Sequence, residues 1–238
     1  MKCLIIAAGI GSRMASRGDS KPLVPLGGIP LIERVILTVM EAGVVDFHVV
    51  TGYNGDKIQE RLTAFAQKHP AAIDFIYNEQ WEKQNGISVL CGRGRLREPF
   101  FLLMSDHLFD AVILKELQSE GVGEGEVKLA VDMRIKNNPL VDLDDVTKVL
   151  VENGCIRDIG KTIPVYNAFD TGIFLGTPAL FAALEESIAD GDESLSGGIR
   201  KMARKQKARV FDIGNRSWID IDDDAAFTKA QKLFASIE

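Results

Sequence analysis

Cysteine is scarce in this chain. Cys3, Cys91 and Cys155 are far apart, odd in number and without a Cys-x-x-Cys pair, which argues against a disulfide framework or a zinc knuckle and fits a reducing cytoplasm. Aromatic residues are few as well, with two Trp and three Tyr among 238 residues. The aromatic cage that a trimethylammonium group calls for is therefore not evident. No apolar stretch approaches the roughly 18 residues of a membrane-spanning helix, and the run after Met1-Lys2 is too short for a signal peptide. Positive charge is in deficit: 28 Lys and Arg against 34 Asp and Glu leave a formal net charge of −6. Broad nucleic-acid binders usually carry a basic footprint, so that class is disfavoured. The one basic cluster, Arg200, Lys201, Arg204, Lys205, Lys207 and Arg209, reads most simply as a solvated helix face.

Against this background the first twenty-odd residues stand out. The apolar run Leu4-Ile5-Ile6-Ala7-Ala8 opens into Gly9-Ile10-Gly11-Ser12-Arg13-Met14, and Lys21-Pro22-Leu23 follows. Gly9 and Gly11 permit positive φ, so that the backbone of Ala7, Ala8, Gly9, Gly11 and Ser12 can turn its N–H groups around an anion. Arg13 suits a forked grip on phosphate oxygens, and Lys21 offers a compact charge that can follow a phosphoryl group through its transition state. Together they describe a triphosphate cradle. A P-loop is excluded because no Gly-Lys-Ser or Gly-Lys-Thr follows, and a dinucleotide fingerprint because its third glycine would fall at Met14.

The periodicity beyond the loop predicts strand and helix in alternation. Ile32, Val35, Ile36, Val39 and Met40 recur at helical spacing between Pro30 and Gly43. A strand is expected over 47–51, a helix through Ile58, Leu62, Phe65 and Ala66, and a third strand over 73–77. A helix over 86–96 and an apolar strand over 100–104 complete a Rossmann-like half with parallel strands. After a turn at 121–125, short strands are expected over 128–133, 146–152, 155–160 and 172–175, extending the sheet. Two helices follow, one capped by Thr177-Pro178 and one over 196–205; strands over 209–213 and 218–221 precede an Asp-capped helix from Asp224 to Ala235. The expected whole is one α/β domain over 1–238, a three-layer sandwich with a mixed, mostly parallel sheet. Its first half would bind nucleotide and its second half an acceptor.

Asp106 ends an apolar strand and Asp220 ends a late one. Two carboxylates converging beside a triphosphate cradle suit Mg²⁺, which takes oxygen ligands and shares phosphates. Strand alternation puts Asp222 on the same face as Asp220 and leaves it a rival, although Asp222, Asp223 and Asp224 also suit the solvated start of a helix. His107 would orient a phosphate or position Asp106, or simply make a local hydrogen bond; His48 and His69 look structural.

The pattern Leu-x-x-Ala-Ala-Gly-x-Gly-Ser-Arg-Met, then Lys-Pro-Leu, then Leu26-Gly27-Gly28-Ile29-Pro30 resembles the signature of the nucleotidyltransferases that make NDP-sugars and CDP-alcohols. Within them the chain is most similar to CTP:inositol-1-phosphate cytidylyltransferases, with bacterial phosphocholine cytidylyltransferases next. The resemblance implies a catalytic set of Arg13, Lys21 and Asp106, with Mg²⁺ on Asp106 and Asp220. It further implies base and ribose contacts from Asn85, Gly86 and Ser88, although Ser88 equally suits a helix N-cap, and acceptor contacts from Asp132, Lys161 and Asp170. Expected partners are CTP, a phosphorylated alcohol, a second copy of the chain, and a separate membrane phosphatidyltransferase that takes the product. A UTP- or dTTP-dependent sugar-1-phosphate enzyme, a guanylyltransferase for a molybdenum cofactor and a silent nucleotide sensor are the alternatives.

Overall fold

Successive residues of the first strand point to opposite faces, and both faces are apolar. Cys3 and Ile5 join one buried cluster, Leu4 and Ile6 the other. A strand apolar on both sides has to lie between two layers, and the rest of the chain supplies them. The computed structural model of the chain describes residues 1–136 and 138–234. The elements in order are β1 (Lys2–Ala7), β2 (Pro25–Leu26), β3 (Ile29–Pro30), α1 (Leu31–Glu41), β4 (Asp46–Thr51), α2 (Gly55–Ala66) and β5 (Ala72–Tyr77). They continue with α3 (Asn85–Leu90), β6 (Phe100–Met104), β7 (His107–Phe109), α4 (Ala111–Glu120), β8 (Val127–Asp132), β9 (Lys148–Glu152) and β10 (Cys155–Gly160). The chain closes with β11 (Ala168–Gly176), α5 (Ala179–Ala189), α6 (Leu195–Arg204), β12 (Ala208–Asp212), β13 (Trp218–Asp220) and α7 (Asp224–Phe234). The predicted end of the last helix at Ala235 lies outside the described residues.

A nine-stranded mixed sheet runs β5-β4-β1-β6-β11-β8-β12-β10-β9. The strands of the first half, β5, β4, β1 and β6, are parallel, as is the β8–β12 pair. Antiparallel ladders join β11 to β6 and β8, and β10 to β12 and β9; β9 also pairs with the start of β11, so this half of the sheet curls back on itself. Helices α1, α2, α4 and α7 pack on one face through Leu31, Val35, Ile58, Leu62, Ile113, Leu117 and Phe227. Helices α3, α5 and α6 cover the other with Val89, Leu180, Leu184, Ile199 and Met202. No helix among the described residues is long and apolar enough to cross a membrane.

Two expectations need correction. The helix expected over 86–96 stops at Leu90, because Gly92 and Gly94 follow and a side chain at Gly92 would meet Leu4 at 2.9 Å. Thr177 does not cap α5; its hydroxyl donates to the Glu126 carbonyl at 2.8 Å. The strand expected over 218–221 forms over Trp218–Asp220 and pairs antiparallel with β7, outside the main sheet. Helix α4 and strand β7 escaped the sequence reading altogether.

Candidate active site

Parallel pairing of β1 with β6 sets Ile6 beside Met104, so the glycine loop and the Ser105-Asp106-His107 turn leave the sheet at the same carboxyl edge. Open α/β sheets bind ligands there. Antiparallel pairing of β7 with β13 sets Asp220 opposite His107, and the Ile221 N–H donates to the Asp106 carbonyl at 3.1 Å. These two registers bring Asp106 and Asp220 together from 114 residues apart in the chain.

Only one of the two loop glycines has the backbone conformation expected of both. Gly11 has φ +60°, and a Cβ there would collide with the Lys21 stem; Gly9 stands in open space without a positive φ. Gly11 therefore lets Lys21 cross beneath the loop. The Lys21 side chain is only 7% exposed, and its Nζ donates to Asp106 at 2.6 Å and to Asp222. Asp222 also accepts from Arg13 Nη2 at 2.9 Å. Burial opposes the charge on Lys21, but Asp106, Asp220 and Asp222 outweigh it and raise its pKa. Burial likewise pushes Asp106 up, and Lys21 and His107 more than reverse this, holding the carboxyl below the ordinary range.

Asp106, His107 and Asp220 each offer a ligand atom, all within 4.8 Å of one another. His107 Nδ1 lies 2.8 Å from Asp106 and 3.6 Å from Asp220. Burial disfavours the imidazolium, yet the two carboxylates lift its pKa to about 9. The pKa of Asp220 is raised as well, to about 7: burial is the largest cause, opposed by His107 and reinforced by Asp106 and Asp222. Its Oδ1 is buried and has no hydrogen-bond partner among the described residues. A buried carboxylate oxygen without a hydrogen bond, facing a second carboxylate, is a site for a cation of hard, oxygen-seeking type.

Two adjoining cavities share Asn85, Met104, Asp106 and Asp222. The smaller, about 250 Å³, is lined by Ala7, Gly9, Gly11, Lys21, Trp81 and Ser88 among others. The larger, about 580 Å³, is lined by Lys161, Asp170, His107, Asp220 and the 140–147 segment. Asn85 Oδ1 accepts from the Leu195 N–H at 2.9 Å, tying α3 to α6. Ser88 is no N-cap; it lies inside α3 and accepts from Asn78 at 2.9 Å. Gly86 is pressed against the 193–194 backbone, where a Cβ would lie 2.5 Å from the Glu193 carbonyl oxygen; its lack of a side chain is accounted for by packing.

On the acceptor side the structure divides the expected residues. A register shift in β11 between Asp170 and Phe174, with Gly172 at φ +74° against the His107 ring, aims Asp170 into the larger cavity. Burial raises its pKa to about 6, even though the Gly172 N–H donates to it at 2.7 Å. Asp132 is corrected: it is fully buried, and its carboxylate is consumed by Arg134, Asn138 and the Trp218 indole N–H. It organises the wall and has no capacity left for an acceptor. Asp222 also departs from its reading as part of a solvated helix start, through its pairs with Lys21 and Arg13, whereas Asp223 accepts from the Ala226 N–H at 2.7 Å and Asp224 pairs with Arg17. The basic helix face is largely self-neutralised, with Arg200 on Asp192, Lys201 on Asp190 and Lys205 on Glu186.

Sequence reasoning missed Asp145, whose carboxylate joins Arg13 at 2.8 Å to Lys161, and it missed Trp81. Asp145 sits in the acidic run Asp142-Leu143-Asp144-Asp145, which has no periodicity to mark it. Trp81 follows β5 in a turn-rich segment and carries no local signature.

The profile of the MobA-like NTP transferase domain matches residues 3–141. A protein of Aquifex aeolicus named bifunctional IPC transferase and DIPP synthase is 28% identical over 231 residues, 96% of this chain and 50% of that protein. A protein of the same name from Rubrobacter xylanophilus is 30% identical over 223 residues, 92% of this chain and 48% of that protein. The chain thus spans about half the length of the curated relatives it matches. Among solved structures, the inositol-1-phosphate CTP transferase from T. maritima superposes with a TM-score of 0.87 at 29% identity, covering 99% of this chain and 95% of that one. A UDP-glucose pyrophosphorylase from Acinetobacter baumanii shares the fold, with a TM-score of 0.77 at 17% identity over 98% of this chain and 93% of the other.

Proposed function

The chain belongs to the MobA-like NTP transferase family, and on that premise we propose that it joins CTP to inositol 1-phosphate and releases pyrophosphate. The observation that carries the reading is the meeting of Lys21, Asp106 and Asp222 where the glycine-loop cavity opens into the larger one. The likeness to the T. maritima inositol-1-phosphate CTP transferase over nearly the whole of both chains favours this nucleotide and this acceptor.

An oxygen of the acceptor phosphate attacks the α-phosphorus of CTP in line. The new P–O bond forms as the bond to the β-phosphate breaks, and pyrophosphate leaves with the electron pair. The acceptor phosphate is already anionic, so no protein nucleophile is needed, and catalysis comes from positioning and charge neutralisation. The loop backbone from Ala7 to Ser12 and Arg13 hold the β- and γ-phosphates. Lys21, fully charged and nearly dry, follows the charge that develops around the α-phosphate, and its low exposure strengthens that interaction. Asn85 and Ser88 line the nucleotide side; Lys161 meets the acceptor phosphate and Asp170 accepts from an acceptor hydroxyl. Mg²⁺ would be held by Asp106 and Asp220, where it would neutralise charge on the α-phosphate and satisfy the Asp220 oxygen that has no hydrogen bond. His107 donates to Asp106 and keeps that carboxylate oriented.

The test is pyrophosphate release with Mg²⁺ from CTP, UTP, dTTP, ATP and GTP, each paired with inositol 1-phosphate, phosphocholine, glycerol phosphate and glucose 1-phosphate. Turnover confined to CTP with inositol 1-phosphate is expected. Turnover with another pair would keep the mechanism and replace the substrates, whereas tight CTP binding without turnover under any pairing would make the chain a sensor.

A further inference from the structure

Asp145 lies in the 138–147 segment, which carries the chain from β8 to β9 and forms one wall of the larger cavity through Leu140, Val141 and Leu143. One of its carboxylate oxygens accepts from Arg13 Nη1 at 2.8 Å, and the other accepts from Lys161 Nζ. Arg13 belongs to the glycine loop, 132 residues away, and Lys161 to the opposite wall, immediately after β10. Both cations are about half exposed, at 52% and 55%, whereas Asp145 is 24% exposed. Ion pairs of this exposure are weak and exchange readily.

A carboxylate gripped by an arginine on one side and a lysine on the other occupies the place that suits a phosphate group. We propose that Asp145 is an internal anion that holds Arg13 and Lys161 until substrate phosphates displace it, the nucleotide's from Arg13 and the acceptor's from Lys161, and that its release frees the 138–147 segment from the glycine loop and opens the larger cavity. Arg13 and Lys161 cannot spend the same N–H donors on Asp145 and on a phosphate, so binding is an exchange of anions. The phosphate wins because it brings a second negative charge and a third oxygen to donors that are already gathered. The cost is a weaker apparent affinity for any single phosphate. The inference rests on the reading of this site as a phosphate-transfer centre.

Asp144 provides a matched control, since it is exposed and carries the same charge at the adjacent position. Inorganic phosphate is titrated calorimetrically, without divalent metal, into the full chain and into its Asp145→Asn and Asp144→Asn variants. Asp145→Asn is expected to bind phosphate about tenfold more tightly than Asp144→Asn, the size expected for releasing two exposed pairs. Equal affinities, or weaker binding by Asp145→Asn, would overturn the proposal. A second measurement needs only the wild-type chain: amide hydrogen exchange over 138–147 is expected to speed up on adding phosphate. Slower exchange would mean that the segment closes over the anion and unchanged exchange that phosphate does not release it, and either would overturn the proposal. Neither readout involves CTP or turnover, so failure of the cytidylyl-transfer reading and failure of the anion exchange register separately.

Discussion

Lys21 is a charged side chain with almost no access to water, and three carboxylates make that tolerable. Removing the ammonium leaves Asp106 to His107 and Asp222 to Arg13, with the two carboxylates no longer bridged in a low dielectric. Lys21→Ala is expected to lower kcat on the order of 10²–10³-fold, the range for deleting one transition-state donor. Divalent metal is expected to raise the melting temperature of the variant more than that of the wild type, because Asp106 and Asp222 then face each other without their ammonium. Steady-state kinetics and a thermal melt with and without Mg²⁺ check both parts; wild-type turnover in the variant would remove Lys21 from the mechanism. At this scale the sequence was informative about types and less so about roles. Arg13, Lys21, Asp106 and Asp220 do converge, whereas Asp132, an equally plausible acceptor ligand by position, spends its carboxylate on Arg134, Asn138 and Trp218. Asp132 ends β8 as Asp220 ends β13; the two differ in what the rest of the chain brings to them, and no local pattern records that.

Helix α3 shows how an element can be shorter than its periodicity and still matter. Its Gly86 lies against the turn that starts α6, and its Asn85 caps the exchange by accepting from Leu195. In Gly86→Ala the new methyl would lie 2.5 Å from the Glu193 carbonyl oxygen and 2.9 Å from the Ser194 carbonyl carbon. Backbone atoms cannot swing away as a side chain can, so α3 must move. The variant is expected to lose about 1–3 kcal/mol of stability and to raise the KM for CTP, since Asn85 and Ser88 move with the helix. Gly94→Ala, with open space around the site and no positive φ, should leave both quantities near wild type. Denaturant melts and CTP titrations of the two variants make the comparison; equal behaviour would show that α3 and α6 are not coupled. The β7–β13 pairing is the other element the periodicity did not reveal. Strand β13 was expected, but β7, with three residues, is too short to display alternation, and their pairing decides the metal-type cluster.

Across the whole molecule, one sheet carries the glycine loop at one end and the acceptor wall at the other, with β6 and β11 as the seam. We propose from this continuity that the two halves form a single domain. Calorimetry is expected to show one cooperative unfolding transition for the full chain, shifted as a unit by CTP with Mg²⁺. Two separable transitions, only one of them moved by the nucleotide, would divide the chain in two.

The amino-acid sequence alone determined the layering, the glycine loop and most of its cations. Those features are written in short-range terms: both-face burial of β1, apolar spacing along α1 and α2, and glycine where Lys21 must pass. Which carboxylates would meet those cations was decided by the tertiary structure. Asp222, Asp145 and Asp220 arrive through strand registers and a wall segment that bring together residues more than a hundred positions apart, and Coulomb interactions in a dry cleft depend on those distances, which local sequence does not encode.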